Sequence, residues 1–148
     1  MSFRAATWVG LVLWAIVSPA AAHGYRFGPL EIVHPVVMVP SAHSDCSCAH
    51  MTITNHGSST EYFLGASIAA ASRTHLIEID TRSGGVTMPV RAAIPPGGTL
   101  DLTRHSGCLF MSGITQTLEA DVGTVQGQLM FETQGTVDIE FMIAPASH

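Results

Sequence analysis

Cys48-Ala49-His50-Met51-Thr52-Ile53-Thr54-Asn55 is the stretch on which the fold is decided. Ala49, Met51 and Ile53 occupy every second position, and His50, Thr52 and Thr54 fill the places between. A period of two sends the two sets to opposite faces of an extended chain, so the stretch predicts a half-buried β-strand. Residues 136–143 repeat the pattern, with Val137, Ile139 and Phe141 on one side. Working outward, residues 30–39, 74–80, 86–93, 99–103, 108–111 and 125–132 are further strand candidates. Pro35 interrupts the first, which predicts an edge or a kinked strand, because proline cannot donate to a ladder. Turn signals separate the runs: Pro40-Ser41, Ser83-Gly84-Gly85, Pro95-Pro96-Gly97-Gly98, His105-Ser106-Gly107 and Gln134-Gly135. Many short strands at this spacing predict an all-β sandwich or barrel in a single domain. Only residues 64–72, rich in alanine, have helical composition, and they predict a single turn or a loop.

The 148 residues suffice for one domain with a real core. The first 22 have the pattern of a signal peptide. Arg4 supplies a positive charge, residues 5–17 are apolar, and Ala20-Ala21-Ala22 offers small residues before a cut. A run of that length is too short to span a bilayer, which argues against an anchor. The domain then runs from His23 to His148, in a periplasmic or secreted protein with no direct membrane insertion after processing. Beyond Arg4 the chain holds five arginines, no lysine and eleven acidic residues. That balance excludes a nucleic-acid partner, which needs a basic stripe, and an anionic membrane surface.

Export implies an oxidising compartment, and the cysteines number three: Cys46, Cys48 and Cys108. Cys46, Cys48 and His50 are spaced by two, so on a strand their side chains leave one face. Two sulfurs and an imidazole form a donor set suited to Cu(I), with His43 close upstream. The spacing is not that of a zinc finger. A disulfide from Cys46 or Cys48 to Cys108 accounts for the same residues equally well, whereas a Cys46–Cys48 bond would be strained. A cut after Ala22 would give His23 a free amine beside its imidazole, a pair able to chelate Cu(II), with His34 as a further donor. His75, Met88 and the run Cys108-Leu109-Phe110-Met111 add sulfur and nitrogen donors. Met111 and Met130 read as core. Nothing supports hydrolytic chemistry, since there is no Gly-x-Ser-x-Gly elbow and no phosphate loop, and a Cys-x-x-Cys redox pair is absent; a copper oxidoreductase using His23 is the enzymatic rival to the reading of a non-enzyme.

The order of motifs resembles the periplasmic copper chaperone family PCuAC, also labelled a domain of unknown function. The resemblance rests on Gly28-Pro29-Leu30-Glu31-Ile32 with His34-Pro35, on Ala49 to Asn55 followed by Gly57, and on Leu64-Gly65-Ala66-Ser67. It continues through Gly84-Gly85-Val86 with Met88, through Ile94-Pro95-Pro96-Gly97-Gly98-Thr99-Leu100, and more loosely through residues 109–114. It implies a cupredoxin-like β-sandwich of Greek-key type. It also implies a Cu(I) chaperone serving a copper-requiring membrane or periplasmic acceptor, with cytochrome oxidase maturation as the family's setting. The family holds Cu(I) with a His, a Met and a His-x-Met pair. Carried over, Met88 takes the first methionine's place, and the first histidine becomes Glu78 without gaps or His75 after a small shift. Cys108 takes the second histidine's place and Phe110 that of its partner methionine. The resemblance therefore leaves three outcomes: a site rebuilt from His75, Met88 and Cys108, a site moved to Cys46, Cys48 and His50, or a non-metal interaction domain with a structural disulfide.

Overall fold

A computed structural model describes residues 24–146, and over that span the chain is all β, without a helix. Eleven strands form: β1 Gly24–Phe27, β2 Leu30–Met38, β3 Ser47–Asn55, β4 Glu61–Ile68, β5 Ala71–Ile79 and β6 Val86–Thr87. After these come β7 Ala92–Ile94, β8 Thr99–Leu102, β9 Gly107–Ile114, β10 Thr124–Phe131 and β11 Gly135–Ala144. They lie in the order β6-β5-β9-β3-β2-β11-β10-β4-β7, with β1 on β2 and β8 on β3. The pairings are antiparallel except β2 with β11, where Val36 and Val37 lie opposite Met142 and Ile143.

That parallel step depends on a break in β2. His34 has a φ of 52°, Pro35 follows it, and the register with β3 shifts between Val33 and Val36. Before the break β2 pairs with β1; after it, with β11. The proline supplies the kink expected of it.

Alternation holds in the strands that decide the fold. Ala49, Met51 and Ile53 of β3 are buried, as are Val137, Ile139, Phe141 and Ile143 of β11. One half of the sheet contributes Leu30, Ile32, Leu109 and Met111 to the same cluster, and the other half contributes Phe63, Leu129 and Phe131. Phe63 and Phe131 meet at 5.5 Å between ring centroids. Each such side chain stabilises the fold by roughly 1.5–3 kcal/mol. The folded-over sheet around this core is the expected single-domain sandwich.

Two local expectations are corrected. Residues 64–72 are neither a helical turn nor only a loop: they hold the end of β4, a tight turn at Ala69 and Ala70, and the start of β5. Ala66, Ile68 and Ala70 are buried there, and pairing with β10 overrides alanine's helix preference. Residues 86–93 are not one strand but β6 and the first part of β7, separated by a loop that contains Pro89.

Candidate metal site

The register places the candidate ligands. Cys48 lies opposite Phe110 across β3 and β9. On the other side of β9, His75 lies opposite Phe110 and Ile77 opposite Cys108. Directly opposed residues share a face, so Cys48, His50, Cys108, Phe110 and His75 all belong to the outer face of this half-sheet. Ala49, Leu109 and Met111 take the inner face and are fully buried. Met111 is core, as expected, whereas Met130, expected there too, is exposed on β10. Glu78, opposite Thr87 and Gly107, is on the face away from Cys108.

On that outer face Cys48 and Cys108 are joined in a disulfide, with their Cα atoms 5.7 Å apart. Of the cysteine pairings left open by the sequence, this is the one formed, and Cys46 is free. Gly107 allows β9 to begin hard against β5: a Cβ there would collide with the Ile77 carbonyl oxygen.

Cys46 sits just before β3, its sulfur 3.4 Å from Asp45 Oδ1. The hydrogen bond to that carboxylate, then burial and the carboxylate's charge, push the thiol pKa up. Cys46 shares with Cys48, His50, Cys108, Arg104 and Phe110 a surface depression of about 360 Å³.

His50 is half-buried, with Nδ1 3.2 Å from the Leu102 carbonyl oxygen. A carbonyl only accepts, so Nδ1 carries the proton and Nε2 keeps its lone pair. Burial holds the His50 pKa below the usual histidine value, and the charge of Arg104 adds to this against the hydrogen bonds to the Leu102 and Gly107 backbone. A neutral imidazole oriented through Nδ1 is the form in which histidine ligates metals. Arg104 and the Leu102 carbonyl lie outside every motif in the sequence, and only the pairing of β8 with β3 brings that carbonyl to His50.

His75 and Met88 meet elsewhere. They line a second depression, of about 290 Å³, together with Leu64, Pro89 and Val90. Both side chains are exposed, Met88 by 59%. The six candidate ligands are thus divided: His75 with Met88, and Cys46, Cys48 and His50 with Cys108. Among the described residues no three His, Cys, Asp or Glu side chains converge as a ready metal site. His34 and His43 are exposed with positive φ. The expected signal peptide, residues 1–22, and His23 lie outside the described residues.

The family model described as "Putative lipoprotein LpqE-like" matches residues 30–143. A curated relative, "Putative lipoprotein Lxx21020" of Leifsonia xyli subsp. xyli (strain CTCB07), is 31% identical over 121 residues, covering 78% of this chain and 72% of its own. Among solved structures, the apo PCuAC domain from PmoF1 superposes with a TM-score of 0.73 at 20% identity, covering 83% of this chain and 99% of that one. The copper-bound PCuAC domain from PmoF2 gives 0.72 at 17%, covering 83% and 98%. The Cu(I) form of DR1885 from Deinococcus radiodurans gives 0.65 at 21%, covering 84% and 83%. The fold is that of PCuAC domains, and the resemblance read from the sequence is borne out.

Proposed function

The chain belongs to the LpqE-like family, and on that premise we propose that it is an exported carrier of copper, taken up as Cu(I) and passed to an acceptor protein. The observation that carries this reading is the gathering of three cysteines and a metal-competent imidazole around one depression, on a fold shared with domains solved with copper. Thiolate, thioether and imidazole donors are those that hold Cu(I). Their place on an outer sheet face suits hand-over, because a shared intermediate forms only where an incoming donor can reach the ion. His75 and Met88 offer a second, exposed pair on the same domain. The likeness of the relative to lipoproteins and a disulfide in the chain both favour an oxidising compartment outside the cytoplasm. The acceptor in this reading is a copper-requiring membrane or periplasmic protein, with cytochrome oxidase as the case the family resemblance suggests. The protein itself is a carrier rather than an enzyme.

The test is a Cu(I) competition titration of the reduced protein, with thiols counted before and after. One ion bound per chain, with thiols protected from alkylation, is the expected outcome. The Cys48–Cys108 disulfide favours a second reading, a structural staple in a metal-free interaction domain. Uptake no greater than that of a variant with all three cysteines changed to Ser would select it.

A further inference from the structure

Resting on the copper-carrying reading, we propose that the Cys48–Cys108 disulfide is a redox gate: reduced, it opens a Cu(I) site of Cys46, Cys48 and Cys108 with His50 Nε2 beside them; oxidised, it closes that site. The bond lies on the outer face of the sheet; Cys108 is buried there, but neither of its cysteines is part of the contiguous hydrophobic cluster. It joins β3 and β9, which are already ladder neighbours, so opening it leaves the strand order and the core in place. Cys48 is part-exposed at the depression, so a reductant can reach its sulfur. Cys46, the third thiol, and His50 line that same depression. Two of the four donors are consumed by each other, which explains a donor-rich surface without a ready metal site.

The chemistry balances with a dithiol reductant. One of its thiolates attacks Cys48 Sγ, the Cys48–Cys108 bond breaks, and Cys108 leaves as a thiolate. The reductant's second thiol displaces Cys48 from the mixed disulfide. Two electrons and two protons pass to the protein, and the reductant ends as its own disulfide. Arg104, which lines the depression, favours the thiolates so produced. Cu(I) then replaces thiol protons, which go to solvent. Loss of two electrons to a disulfide oxidant re-forms the bond and expels the ion.

Cu(I) affinity is to be measured by chelator competition on the purified exported protein in its oxidised and reduced forms, with circular dichroism on both. The expected result is a folded reduced form that binds one Cu(I) roughly 100-fold more tightly than the oxidised form, as two recovered thiolates imply. Cys46→Ser should weaken the reduced form about tenfold. Equal affinity in both forms, with all thiols open to alkylation, would overturn the gate and leave copper carriage to His75 and Met88. Unfolding on reduction would overturn it in favour of a structural staple. No binding by either form would overturn both the gate and the copper reading.

Discussion

Glu61 is an acid used as a staple between strands. It is buried, and its carboxylate accepts the backbone N–H groups of Tyr62 at 2.8 Å and of Thr133 and Gln134 at 3.0 Å each. Burial pushes its pKa up, but these hydrogen bonds, with one from the Thr133 hydroxyl, outweigh it and leave the pKa below the ordinary glutamate value. A carboxylate whose pKa is depressed by folding contributes stability above its unfolded value, and that contribution disappears as pH falls through the folded value. The native protein should therefore lose melting temperature on acidification below about pH 4.5. Glu61→Gln should melt lower at pH 7 and lose less over the same interval, as thermal scans at pH 7 and pH 3 would reveal; parallel losses would remove Glu61 from the account. Asn55 has a comparable role. Its Nδ2 donates to the Ser59 and Ile94 carbonyls, and its Oδ1 accepts from Gly57 N–H. The Asn-x-Gly turn in the family-like motif announces part of this. Glu61 was not legible, because Thr133 and Gln134, which join it to the β10–β11 turn, are more than 70 residues away.

At the scale of elements, β10 and β11 form a hairpin whose inner face leaves room for no side chain at Gly127. A Cβ there would lie 2.5 Å from Cε2 of Phe141, a ring that is fully buried. Gly127→Ala should destabilise by roughly 1–3 kcal/mol through overpacking, read as a lower urea midpoint with an unchanged m-value. A neutral change would mean that Phe141 can move aside. Strands with strict alternation, β3 and β11, were legible from sequence because one face is core and the other solvent. β4 and the start of β5 were not. Ala66 and Ala70 are buried, Gly65 takes a φ of 135°, and composition alone cannot separate these causes from helix preference. Residues 88–91 have strand-like composition without being strand for a similar reason: Val90 is apolar yet 93% exposed.

For the whole molecule, the disulfide closes a loop with a sequence separation of 60. Chain-entropy reasoning makes it worth up to about 4 kcal/mol. The variant Cys48→Ser with Cys108→Ser should therefore unfold at lower denaturant but still fold, since the cluster Leu30, Ile32, Met51, Ile53, Phe63 and Phe141 contains neither cysteine. A variant with no cooperative transition would make the bond indispensable. The fold class, the kink at Pro35 and the candidate donors were all legible in the sequence. Which donors meet was not, because it depends on the registers of β3, β9 and β5, set by contacts between distant segments.

The parallel contact of β2 with β11 orders events in time. Met142 and Ile143 must meet Val36 and Val37, so the earliest long strand waits for the last one before the two halves of the sheet can join. Non-local closure of this kind is slow. A chain threaded through a membrane from its leading end would remain open until its final segment had crossed, and assembly would belong to the far side.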